Sequence, residues 1–181
     1  MIDHVNEQTV CGVAHHEVAH IVIACDRGLA IGKKGAVIYG QPPDPTGSAH
    51  FEGATFGTPV DASKKESVVI ALLAGGIVHS RLADRIETAV LLDQQRIAEL
   101  MGAPSFDSPE LQEQIRPLVA KAEELVDKHW SIIVIVGAAL CEKDWQYKYP
   151  HSSFFKQKSL PGEELKALLS PMTVVVDDTI D

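Results

Sequence analysis

The chain has 181 residues, of which 45% are apolar and 23% charged, a composition that suits one globular domain with a single sizeable core. A net charge of −9 argues against nucleic acid as the main partner, because general electrostatics would repel a polyanion. The longest apolar run, Ile132 to Leu140, is well short of the ~20 residues that span a bilayer, which argues against a membrane partner.

Taken in chain order, the first predicted element is a helix between Asn6, a plausible N-cap, and Gly28, a plausible C′ residue. The opening stretch MIDHVNEQTV has no basic region followed by an apolar one, so no signal peptide is expected. "GAVIYG" and "GSAHFEG" follow as two β-prone stretches separated by "QPPDPT", read as a hairpin with a proline-rich loop or as two strands of a small sheet. Asp61 to Asp84 reads as a helix with apolar residues at Val69, Leu72, Leu73, Ile77 and Leu82. Its Gly75 and Gly76 each cost about 1 kcal/mol against alanine and make sense where another helix packs close. A further helix covers Glu87 to Gly102. Another begins at Ser108 with Pro109 in its first position and runs to Lys143, with Pro117 expected to kink or divide it. A short helix over Leu160 to Leu169 closes the domain, residues 1–170, and residues 171–181 form an acidic tail. The expected fold class is mainly α with a small β element (α+β): one helix, a small hairpin or sheet, then a helical bundle.

Three cysteines, Cys11, Cys25 and Cys141, are an odd number without C-x-x-C spacing. They suggest neither a disulfide framework nor a cysteine zinc site, and they suit a reducing, cytoplasmic setting.

His16-Glu17-Val18-Ala19-His20 fits H-E-x-x-H inside the first helix. Residues four apart share a helix face, so two imidazoles can grip one Zn2+ while the glutamate stays off the metal as a general base. Zinc lowers the pKa of a coordinated water towards about 7, which is the chemistry of metallopeptidases. The competing reading is a helix with surface or satisfied core histidines. His15 lies about 100° round the helix from His16 and is not expected to ligate. A catalytic zinc wants a third protein ligand, for which Asp26, His50, Asp61, His79, Asp84, Glu87, Asp93 and Glu99 are available. Asp93 is distinctive because it interrupts the apolar run "AVLL", where a buried carboxylate would need a partner. The residues alone read more simply as a solvated face shared by Asp93 with Gln94 and Gln95.

The order of these motifs resembles the zinc peptidase domain of the FtsH-type ATP-dependent proteases. "VAHHEVAHIVIA" is similar to that family's H-E-A-G-H helix, "KKGAVIYG" and "GSAHFEG" to its strands, and "ALLAGGIVHSRL" to its L-A-G helix. "LLDQQRIAELMG" is similar to the helix whose aspartate completes the zinc site, and "AALCEK" with "KSLPGEELKALL" to its closing helices. The resemblance implies His16, His20 and Asp93 as zinc ligands and Glu17 as general base. It also implies a substrate-binding strand at Ser48, Ala49, His50 and Phe51, where an extended peptide adds by main-chain hydrogen bonds. Departures are Val18-Ala19 in place of Ala-Gly, and Gly76 and His79 where the family favours arginine and glutamate. No G-x-x-x-x-G-K-[ST] occurs in the sequence, so no ATPase half is expected.

The implied function is zinc-dependent hydrolysis of extended or unfolded polypeptides. A separate ATPase or adaptor partner and homo-oligomerisation stay open. The alternative is a binding or regulatory module that keeps the fold without turnover. His79 could approach the metal but reads more simply as a helix-surface or core histidine. Trp130 and Trp145 read as core or interface residues. The 132–140 stretch reads equally as buried or as an association face, and Lys33-Lys34 and Lys64-Lys65 as solvated charges.

Overall fold

The computed structural model describes residues 7–40, 45–53, 60–82, 88–147, 156–170 and 172–180. Its first helix, α1 (Glu7–Asp26), is the centre of the molecule. From Val18 to Ala24 every apolar side chain is fully buried, as a helix hydrophobic on all sides must be. The helix ends as expected: Gly28 takes φ 72°, its N–H donates to the Cys25 carbonyl, and Leu29 donates to Ala24. That pair of bonds satisfies carbonyls that the last turn leaves open. The Asn6 cap lies outside the described residues.

One side of α1 is covered by a sheet. Strands β1 (Ile31–Gly40) and β2 (Thr46–Phe51) pair antiparallel, with an irregularity between Ile31 and Ala36. The expected hairpin partners are therefore correct, although β1 starts earlier than its glycine-bounded core suggested; most of the proline-rich loop, Gln41 to Asp44, lies outside the described residues. Two further strands, β3 (Gln146–Tyr147) and β4 (Lys156–Leu160), extend the sheet in the order β2-β1-β4-β3. The segment read as an acidic tail contributes β5 (Val176–Asp177), parallel to the start of β1, with Ile31 donating to the Val175 carbonyl.

The other sides of α1 are covered by helices. α2 (Lys65–Leu82) and α4 (Pro109–Glu142) pack directly on it, and α3 (Thr88–Met101) packs on α2 and approaches β2. α3 ends at Gly102, φ 71°, in the same carbonyl-satisfying pattern as α1. α4 begins with Pro109 at its start, as expected, but Pro117 does not divide it. Pro117 sits on the exposed face, where water can satisfy the carbonyl that its missing N–H leaves open. Within the 132–140 stretch Ile133, Val136, Gly137 and Leu140 are buried, while Ile135 faces outward. Trp130 and Trp145 are partly buried against the core. α5 (Gly162–Leu168), which precedes β5, packs against β1. Lys33 and Lys34 are exposed, whereas Lys64 pairs with Glu52 and is half-buried.

The cysteine expectation is corrected. Cys11 of α1 and Cys141 of α4 form a disulfide, with Cα atoms 5.2 Å apart, and Cys25 alone is free and buried. Antiparallel packing of two helices brings together residues separated by 130 positions, which spacing along the chain could not reveal. The argument for a reducing compartment from unpaired cysteines goes with it. Among the described residues no helix is long and apolar enough to cross a membrane.

Candidate metal centre

α1 carries the motif into the interior: His16, Glu17 and His20 are 1%, 3% and 3% exposed. Groups this polar are buried only where the structure gives them partners. For His20 the partner is the Ala71 carbonyl on α2, which accepts from Nδ1 at 2.8 Å. A carbonyl cannot donate, so the proton must sit on Nδ1, and a neutral His20 turns the lone pair of Nε2 into the site. α2 can approach this closely because of Gly75, where a Cβ would stand 2.2 Å from His20 Cε1. Gly75 thus meets the expectation of a close helix contact. Gly76 does not, since a Cβ there would find its nearest neighbour at an ordinary 3.7 Å, on Val90.

α3 delivers Asp93. Its Oδ2 lies 3.0 Å from His16 Nε2 and 3.1 Å from His20 Nε2, and the two Nε2 atoms are 3.0 Å apart. Of the two readings of Asp93 the structure selects the partnered one; its side chain is 18% exposed. Among the described residues, His16, His20 and Asp93 form a group that could hold a metal ion.

The geometry fits one. Ligand bonds of ~2.0–2.1 Å at tetrahedral angles place donor atoms ~3.3 Å apart, close to the triangle found here. Asp93 Oδ2 is buried and makes no hydrogen bond of acceptable geometry, although two nitrogens stand within reach. A cation shared by all three atoms would satisfy it.

Glu17 does not belong to the triangle. Its Oε1 is 4.0 Å from His16 Nε2, near enough to serve the same point in space through one small molecule. Its place depends on β2: a Cβ on Gly47 would lie 2.3 Å from Glu17 Oε1, so the strand backbone forms the wall behind the carboxyl group. Sequence reasoning missed this role of Gly47, and the glycine starting a strand segment was its only signal.

Charge in the metal-free protein is arranged around Asp93. Burial pushes the Glu17 carboxyl up, with the Asp93 charge adding to it and His20 opposing, to about 8. Burial pulls on His20 in the opposite sense, yet the Asp93 carboxylate outweighs it and raises His20 to about 9. His16 is lowered by burial and by its charged neighbour His20. Burial would raise Asp93, but His20 and His16 hold it well below the ordinary carboxylate range. Asp93 and His20 thus favour each other's charged forms.

Compared with known proteins, the chain matches no family model, no curated protein and no solved structure. The chemistry of the site consequently stands on its own residues.

The remaining candidates are elsewhere or in other work. His15 is turned away from the triangle, its Nδ1 2.6 Å from the Cys11 carbonyl and its ring lodged against Gly137 of α4. Asp26, at the far end of α1, binds Lys128 and His129 of α4 at 2.7 and 2.6 Å. Asp61 accepts from Ser63 in the turn before α2, and Glu99 is exposed beside Gln95 and Arg96. Asp84 and Glu87 lie outside the described residues. His79 is buried next to His16.

The four strand residues lie on β2, the end strand of the sheet. Ser48 and Ala49 are half-buried, His50 and Phe51 buried. Ser48 Oγ is 3.4 Å from His50 Nε2, and the Phe51 ring stands 6.1 Å from that of His20. Among the described residues, β2 pairs with a strand on one edge only.

Proposed function

We propose that this chain is a zinc-dependent peptidase of the FtsH peptidase-domain type, acting on extended or unfolded polypeptides. The observation that carries the reading is the convergence of His16, His20 and Asp93 within 3.1 Å, with Glu17 beside them and outside the ligand set. Two imidazoles and one carboxylate favour zinc among the common divalent metals. These three residues would hold it. When bound, zinc supplies a Lewis acid that polarises the scissile carbonyl and makes water acidic enough to attack at neutral pH.

The chain's own residues supply the rest. Glu17 takes a proton from the attacking water and hands it to the leaving amine, as a buried carboxyl whose pKa lies near neutrality is suited to do. A nearby divalent cation draws that pKa down, so the group works as the base. The edge of β2 that pairs with no strand among the described residues orients an extended peptide beside Glu17 through main-chain hydrogen bonds, which demand little of the substrate's sequence. Without an ATPase motif the chain cuts flexible segments, or works with a separate ATPase or adaptor that unfolds the substrate.

The test is cleavage of casein by the zinc-loaded wild type, by Glu17→Gln and by Asp93→Ala, with zinc content measured for each. Glu17→Gln should keep its zinc and lose hydrolysis, whereas Asp93→Ala should lose both. Equal background rates in wild type and Glu17→Gln would instead favour a binding or regulatory module on the same fold. Wild-type protein that takes up no zinc would remove the metal reading altogether.

A further inference from the structure

His16 and His20 are held in different ways. His20 has the Ala71 carbonyl on its second nitrogen. His16 has nothing equivalent: its Nδ1 is buried and makes no hydrogen bond among the described residues. A ligating imidazole is ordinarily oriented by an acceptor on its second nitrogen, so on the Nδ1 side the His16 ring is left to be held by packing.

The packing comes from α2. Positions 71, 75 and 79 are four residues apart and share one helix face. The carbonyl of Ala71 orients His20, Gly75 makes room for the His20 ring, and His79 meets His16. The His79 side chain is 3% exposed, and its ring lies edge-to-face with that of His16, centroids 5.9 Å apart and planes at 83°. His16 in turn lies edge-to-face with His20 at 4.5 Å and 85°. Three imidazoles thus form an edge-to-face chain, the outer one on the helix that also fixes His20. The ring nitrogens of His79 do not join the close group made by His16, His20 and Asp93.

We propose that His79 is a positioning residue of the metal centre: its ring locks His16 so that Nε2 points at Asp93 and His20. It acts through His16 and not as a ligand. The proposal rests on the metal reading above.

The test compares wild type with His79→Ala, His79→Leu and His79→Phe, and uses His16→Ala as a control for metal loss. Zinc affinity is read by competition with a chromophoric chelator, the visible spectrum of the Co(II)-loaded protein reports ligand geometry, and melting of the metal-free proteins reports folding. His79→Ala and His79→Leu should weaken zinc binding about 10- to 100-fold, the usual effect of removing an outer support, and should alter the Co(II) bands. His79→Phe, which keeps an aromatic ring against His16, should return affinity to within a few-fold of wild type. Leucine fills the space without the ring, so the Leu–Phe comparison decides the matter even if the alanine variant unfolds. Wild-type affinity and an unchanged Co(II) spectrum in His79→Leu would overturn the positioning role while leaving the metal site intact. Wild-type protein that binds neither zinc nor Co(II) would overturn both, and His16→Ala separates that failure from a loss confined to position 79.

Discussion

Gly75 of α2 and His20 of α1 touch so closely that no side chain fits between them: a Cβ on Gly75 would be 2.2 Å from Cε1 and 2.6 Å from Nε2 of the imidazole. The ring cannot step aside freely, because its Nδ1 is held by Ala71 on the same helix. Gly75→Ala should therefore weaken zinc binding at least tenfold and destabilise the protein by about 1–3 kcal/mol, the usual penalty of overpacking. Gly76→Ala, one residue on, meets only ordinary contact and should gain up to ~1 kcal/mol of helix propensity. Chelator competition and thermal melts on both variants check the contrast.

Gly47 plays the matching part for Glu17. A methyl group there would collide with the carboxyl oxygen at 2.3 Å, without removing any ligand atom. On the peptidase reading proposed above, Gly47→Ala should lower casein hydrolysis by about 100-fold, the scale of a 1 Å misplacement of a reacting group, with zinc content unchanged. Parallel loss of zinc would show that the strand supports the ligands and not the base.

The Cys11–Cys141 disulfide joins the helix bearing the metal motif to α4 across 130 residues of chain. On the chain-entropy account a loop of that size contributes up to about 5 kcal/mol. Reduction, or Cys11→Ser, should lower the melting temperature by roughly 10 °C or more. Thiol titration of the native protein should find no reactive group, since Cys25 is buried and its thiol is pushed up to about 12 by desolvation. Two reactive thiols should appear after mild reduction.

A source of acid sensitivity separate from Asp93 should lie at the opposite end of α1. Burial would raise the Asp26 carboxyl, but hydrogen bonds from Lys128 and His129 hold it below its ordinary value. The sign follows: a lowered folded pKa gives stability that is complete above the unfolded value of about 3.9 and lost as pH falls through the lower folded one. Asp26→Asn should thus be less stable than wild type at pH 5, and the gap between their urea midpoints should narrow towards pH 2. A constant gap would mean that packing and not charge joins Asp26 to α4.

Local pattern made α1, α2, α3, α4 and α5 legible, because helical periodicity, Pro109 at a start and Gly28 and Gly102 at ends are all encoded within a few residues. The strands β4 and β5 were not legible. "KQKSL" has no apolar alternation, and it becomes a strand because β1 offers it a pairing edge. The same holds for Val176–Asp177, which a composition reading could describe only as acidic.

The sequence by itself determined that two histidines and a glutamate sit on one helical turn, since spacing of four residues brings side chains together whatever surrounds the helix. Only the tertiary structure decided that this turn is buried, that Asp93 comes within 3.1 Å of both histidines, and that Gly47 and Gly75 leave room beside them. Those outcomes depend on three helices and a strand meeting at one point, and the distance between residues far apart in the chain is set by packing, to which local spacing is blind.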